Sequence, residues 1–222
     1  MKIDNVKVYG LAESIVASGL PMVEEYDSKA FAGDVFGVSP ATVGFKVNGE
    51  NAARHIKRAV ETLSPFPPGE GHHNFLCGII VQMNVTAPRY FWPEVQRYSF
   101  IDIVSSTSTM HKLKAFVKKY HERKDEDVEK IRSHFSELTD WDAIVNFLIY
   151  AWNNIDDIEK LKANLPEGYL QTARITTNYR AMKTCYMQRR THRLKEWQDF
   201  CDWVETLPMS QLITRNSKEK QD

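Results

Sequence analysis

The spacing of apolar residues along the chain changes period several times, and each change predicts an element. Val6 to Tyr9 alternates as a short strand, and LAESIVASGLPM, residues 11–22, predicts a helix stopped at Gly19 and Pro21. Between Val35 and Val47, β-branched residues alternate and are interrupted by Pro40 and then by Asn48-Gly49, so strands and turns are expected. From Asn51 to Leu63 the apolar positions Ala52, Ile56, Ala59, Val60 and Leu63 share one face, the pattern of an amphipathic helix. SPFPPGEG then forces a loop, because proline removes amide donors and glycine frees the turn.

FLCGIIVQMNVTAP, residues 75–88, is an apolar run that passes into alternation and predicts the most buried strand. PRYFWPEVQRY, with Pro93 as a first-turn residue, predicts a short helix. From Phe100 an apolar segment runs through a cluster of hydroxyls into another helix, with Thr107, Ser108 and Thr109 as N-cap candidates. Two helices follow, EDVEKIRSHFSEL and WDAIVNFLIYAWNNIDDIEKLKANL, the second stopped at Pro166. GYLQTARITTN is extended, Thr176 to Trp197 reads as one long helix, and LKEWQDFCDWVETL closes the helical part at Pro208. The expected fold is a single α+β domain over residues 1–213, a small mixed or antiparallel sheet covered by long helices, with a polar tail over 214–222.

The segment from Thr176 to Trp197 carries the clearest chemistry. If it is one helix, Asn178 and Arg189 lie eleven residues apart and point the same way, at about 100° per residue. Met182 and Cys185 then form an apolar floor between an amide and a guanidinium, and those groups suit a phosphate or an imide carbonyl. A solvated basic face above a core stripe is the plainer alternative.

Charge narrows the partners. Lys plus Arg equals Asp plus Glu at 29 each, so no global field steers this chain to nucleic acid or an anionic membrane. The start of the chain lacks a secretory pattern and no run is long and apolar enough to span a bilayer, so a cytoplasmic protein is expected. Three cysteines, Cys77, Cys185 and Cys201, with no CxxC spacing, make disulfides and a thiolate zinc site improbable, and no metal is expected. No P-loop, GxGxxG or serine elbow occurs, so in an enzyme the chemistry would belong to a cofactor. His72 and His73 stand ahead of the buried strand, either as solvent-facing loop residues or at the rim of a site. The hydroxyls of SSTSTM serve either as a cap or as an anion site.

Three stretches taken together resemble the flavin-dependent thymidylate synthase family. NYRAMKTCYMQRR is similar to the family's N-x-R helix with an arginine eleven residues after the asparagine, and Asn178, Arg180 and Arg189 fall in those places. LKANLP is similar to A-R-x-x-L-P, with Lys162 in place of the arginine and Pro166 in register. GHHNFLCGIIVQMNVTAPRYFWPEVQRY resembles G-H-x-x-x-x-E-H, a strand ending in A-P, and R-H-R, matching at Gly71, His72, Asn84, Ala87, Pro88 and Arg97. Where the family has the glutamate and second histidine, this chain has Cys77 and Gly78. The R-H-R-x-x-S signature here begins Arg97-Tyr98-Ser99, and two of the signature's arginines are absent.

The resemblance implies a homotetramer, or at least a dimer, that binds FAD, dUMP or another pyrimidine nucleotide, and methylenetetrahydrofolate, with NADPH as reductant. A one-carbon unit would be transferred to C5 of the pyrimidine and reduced through the flavin, with no enzyme cysteine attacking the base. By carry-over, His72, Arg97, Tyr98 and Asn178 would contact the flavin, and Arg189 would polarise the pyrimidine as the catalytic residue. Ser105, Thr107, Thr109 and Lys162 would hold the nucleotide. Two alternatives remain open: a relative that modifies another pyrimidine or stops at hydroxymethyl, and a non-catalytic module binding nucleic acid through the basic cluster from Lys183 to Lys195.

Overall fold

A computed structural model describes residues 1–41, 44–67 and 71–215, with the side chains of residues 39–41 and 44–47 left undescribed. Of the loop expected over 64–71, residues 68–70 lie outside the described residues, as do residues 216–222 of the tail expected over 214–222. Strand β1 (Lys2–Tyr9) leads through Gly10 into helix α1 (Leu11–Ala17), followed by a 3-10 turn at Leu20–Met22. Helix α2 (Ser28–Gly37) is capped by Asp27, whose carboxylate accepts from the Lys29 and Ala30 amides, and occupies part of the stretch expected to be extended. Strands β2 (Val38–Ala41) and β3 (Gly44–Val47) form an antiparallel hairpin in the register Val38 to Val47 and Ala41 to Gly44. The amphipathic helix α3 (Glu50–Lys57) continues as a π-helical stretch over Arg58–Leu63.

Gly71–Gly78 is a run of 3-10 turns, and strand β4 begins only at Ile80, running to Pro88. Close approach accounts for the late start. A Cβ on Gly78 would collide with the Ser14 hydroxyl, and one on Gly10, whose φ is +70°, with the Gly78 carbonyl. Helix α4 (Trp92–Val95) and strand β5 (Asp102–Ser106) precede helix α5 (Thr109–Tyr120). Ser108 is the α5 N-cap residue but makes no side-chain cap bond, and the Thr107 hydroxyl accepts from the Thr172 amide instead. Helix α6 (Val128–Arg132) is shorter than its apolar pattern suggests, because Phe135 leaves it to pair with Tyr169 and the Ser136 amide bonds to the Gly168 carbonyl at 2.7 Å.

The long helix expected from Trp141 to Leu165 is two, α7 (Trp141–Asn153) and α8 (Ile158–Ala163), because Asp157 caps the second by accepting from the Lys160 amide at 3.1 Å. Thr176 to Trp197 is likewise not one helix. Its first residues end strand β6 (Leu170–Asn178), helix α9 covers Tyr179–Arg189, and helix α10 (Lys195–Glu205) starts after a turn in which the His192 amide bonds to the Arg189 carbonyl. Helix α11 (Gln211–Thr214) is last.

The main sheet has strand order β1-β4-β6-β5. The chain resolves into two compact units, to which β1, β4 and β6 each contribute residues. One unit comprises residues 1–4, 84–97 and 103–175, and its core joins Leu113, Phe116, Val117 and Tyr120 of α5 to Ile144, Phe147 and Leu148 of α7, with Leu161 and Tyr169. The other comprises residues 5–83, 98–102 and 176–222, where α9 packs on α10, α11 and the 3-10 run. Its buried side chains include Ile15, Leu76, Tyr179, Met182, Cys185 and Trp197, each 2% exposed or less. Among the described residues, no helix is long and apolar enough to cross a membrane.

Candidate active site

Asn178 is the last residue of β6, extended at φ −136°, and its side-chain oxygen accepts from the Ala181 amide at 2.9 Å. It is the N-cap of α9, so counting helical turns from Asn178 to Arg189 overstates the helix. The proposed floor is also corrected, since Met182 and Cys185 are fully buried and belong to the core.

At the other end of α9 the structure gathers a cluster. Arg189 Nε donates to the Tyr98 hydroxyl at 2.6 Å, and its guanidinium lies 4.8 Å from the Trp197 ring centroid. The Tyr98 hydroxyl in turn donates to Gln188 Oε1 at 3.0 Å, while its ring meets Trp197 edge-on at 5.7 Å. Burial pushes the Tyr98 hydroxyl above its ordinary pKa, against the pull of Arg189, so near neutral pH it stays protonated and makes both bonds. With Nε bonded to a phenol and one face on an indole, the guanidinium has little rotational freedom and is a pre-oriented cation. Tyr98 and Arg189 are brought together; Trp197 and Gln188 escaped sequence reasoning, since nothing in their spacing marks them.

His72 is exposed and stacks on Phe66, with ring centroids 4.2 Å apart. His73 beside it is buried, and desolvation, then the charge of Lys183, lowers its pKa against the opposing pull of the Ser64 and Leu63 backbone. Arg180 Nη1 lies 3.6 Å from the Cys77 sulfur. Cys185 is buried and its thiol pushed far up, and Cys201 is pushed up to about 11, both chiefly by desolvation, so neither is a thiolate at neutral pH.

In the other unit, Arg97, Ser105 and Lys162 are exposed. Thr107 and Thr109 do meet, at a cavity of about 470 Å³ bordered also by Thr86, Ser108, Lys112 and Lys119. The Thr86 and Thr172 hydroxyls bond to each other at 2.7 Å on its wall. Its far side is aromatic: Phe116 and Tyr169 hold His134, whose ring lies nearly parallel to that of Tyr169, and desolvation followed by the Lys119 charge lowers the His134 pKa. Neither Ser105 nor Lys162 lines this cavity, and the two lysines that do were not anticipated. A larger cavity of about 940 Å³, lined by Tyr9, Phe36 and Trp203 among others, contains none of the expected site residues.

Three cations of the basic cluster from Lys183 to Lys195 are buried or paired within the chain. Lys183 is 1% exposed, Arg190 pairs with Asp202 and Glu205, and Lys195 with Asp199. Among the described residues no group of three or more metal-ligating side chains occurs.

The architecture, with its four-stranded sheet and covering helices, is that of the flavin-dependent thymidylate synthase fold. Two crystal structures of flavin-dependent thymidylate synthase ThyX from Helicobacter pylori, both with FAD and dUMP, match with TM-scores of 0.68 and 0.66. Each match covers 96% of this chain and 98% of the other, at 15% sequence identity. No protein-family model matches the sequence, and no curated protein does.

Proposed function

We propose that this chain is a flavin-dependent enzyme acting on a pyrimidine nucleotide, in first place a transfer and reduction of a one-carbon unit onto C5 of dUMP. The observation that carries the reading is Arg189 held by Tyr98 and Trp197, on a fold whose similar structures contain FAD and dUMP. A uracil ring presents imide carbonyls, and a fixed guanidinium suits one of them, drawing electron density from the ring as C5 reacts. Loss of the usual imidazole between Arg97 and Ser99 leaves a phenol there, which orients Arg189 without competing for an anion.

The residues present fit a flavin. His72 offers an exposed ring stacked on Phe66, and the Asn178 amide retains its N–H donors after its oxygen is spent on the cap. Bound flavin would supply the hydride, taken up from NADPH, and methylenetetrahydrofolate the carbon. No protein thiolate is needed, in keeping with the buried, protonated Cys185 and Cys201. In the other unit, the hydroxyls of Thr107 and Thr109 with Lys112 offer donors to an anion at one cavity. In a homo-oligomer, Arg97, Ser105 and Lys162, being exposed, would be available to a neighbouring subunit's ligand.

Absorbance spectroscopy of the purified protein, before and after FAD and then dUMP, tests the reading. A flavin spectrum that dUMP perturbs is expected. A protein that takes up no flavin in either condition would overturn it. Product analysis with dUMP, methylenetetrahydrofolate and NADPH then separates thymidylate from hydroxymethyl nucleotide.

A further inference from the structure

Lys183 lies within α9, between the cap at Asn178 and the guanidinium at Arg189, and is 1% exposed. Its ammonium donates to three backbone carbonyls: Ser64 at 2.8 Å, Ile213 at 3.3 Å and Arg215 at 2.6 Å. All three donors are used, and none goes to a carboxylate. A well-packed apolar side chain is generally at least as stable as a buried charge, so a lysine here has to be explained by what its bonds specify.

They specify a meeting of distant segments. Ser64 ends the π-helical stretch, where its amide bonds to Ala59 O and its hydroxyl to Val60 O. Arg215 reaches back, Nη1 donating to Val60 O at 3.3 Å. Two residues beyond Ser64 is Phe66, the ring against which His72 stacks. One ammonium therefore fixes the carbonyl that starts the turn, and the turn carries the aromatic support of His72.

We infer that Lys183 is a positioning residue for His72, acting through the Ser64 carbonyl and the Phe66 ring. The positioning stands on geometry alone; only its consequence for cofactor affinity rests on the functional reading given above. Lys183 is then the part of α9 that serves the His72 side of the site, as Arg189 serves the nucleotide.

The test is the proton NMR spectrum of the His72 ring, assigned with His72→Gln. In the wild type these protons lie upfield of an unstacked histidine, because they sit over the Phe66 face. Lys183→Met is expected to return them most of the way to the unstacked position. Leu148→Ala, which costs packing in the core of the other unit and touches neither the ammonium nor its three carbonyls, is expected to leave them in place. Unchanged His72 shifts in Lys183→Met, or equal movement in Leu148→Ala, would overturn the inference. If Lys183→Met does not fold, Lys183→Gln replaces it, keeping two N–H donors on a shorter neutral side chain, and the same outcomes decide.

FAD titration separates this from the functional reading. His72→Ala and Lys183→Met are each expected to weaken FAD about tenfold, and in the Phe66→Ala background Lys183→Met should add little. Loss in His72→Ala but not in Lys183→Met would leave the function and remove the positioning role. Absence of FAD binding in the wild type would remove the function, and the His72 shifts would still decide the inference.

Discussion

Helices α5 and α9 each carry two cations of interest, and they hold them in opposite ways. On α9, Lys183 is buried on three carbonyls and Arg189 is fixed by a phenol and an indole. On α5, Lys112 and Lys119 are exposed at the edge of a cavity, and Lys119 rests 4.9 Å from the Tyr120 ring centroid. The first pair lost its rotational freedom on folding, so a ligand meeting Arg189 has little further entropy to remove. The second pair must be ordered by the ligand and is screened by salt. Orientation and specificity should thus reside in α9, and general attraction for an anion in α5.

The sharpest way to break this contrast is Arg189→Ala, expected to reduce nucleotide affinity a hundredfold or more, about 3 kcal/mol, with an unchanged circular dichroism spectrum. Affinity equal to wild type would remove Arg189 from the site. Arg189→Lys distinguishes a planar fork from a point charge and should recover only a small part of the loss.

A second prediction uses pH. Burial lowers the Lys183 pKa to about 8, against about 10.4 in the unfolded chain. Between these values the unfolded state binds more protons than the folded one, so this group's contribution to stability rises with pH from about 8 to about 10.4. Denaturant unfolding should show the stability of the wild type relative to Lys183→Met increasing over that window, by at most about 1.4 kcal/mol per pH unit. A difference flat in pH would mean that Lys183 titrates normally.

Tyr98→Phe removes the oxygen that accepts from Arg189 while keeping the ring against Trp197, and should cost nucleotide affinity about tenfold, near 1.5 kcal/mol. The smallest effect is expected from Lys112→Ala and Lys119→Ala, less than about 1 kcal/mol each and vanishing at high salt. If these two exceed Tyr98→Phe at high salt, the contrast between the helices is reversed.

Much of the architecture was legible where the apolar period was uninterrupted, as in α3, β4 beyond Ile80, α7 and α10. The two overlong helices failed for a common reason. Both breaks lack glycine and proline and are made by side chains: Asp157 capping α8, and His192, whose Nδ1 accepts from the Leu194 amide. Asp157, with Glu159 in the first turn after it, was a readable cap signal. Among the candidate residues, type and spacing singled out Asn178 and Arg189 and the resemblance alone added Tyr98, but neither showed that Asn178 spends its oxygen on its own helix. Lys183 was misread because a lysine among arginines looks solvated in one dimension, and only the convergence of residues 64, 213 and 215 shows otherwise.

The tight meeting of Gly10, Ser14 and Gly78 makes the first helix a party to any change just ahead of β4. A side chain at position 78, such as the histidine of the related motif, requires the Ser14 hydroxyl to turn away, which a serine rotamer can do. Position 10 has no such give, because a Cβ there meets the Gly78 backbone carbonyl at a φ of +70°. Two glycines far apart in sequence thus share one close approach, in which the first is fixed and the second negotiable.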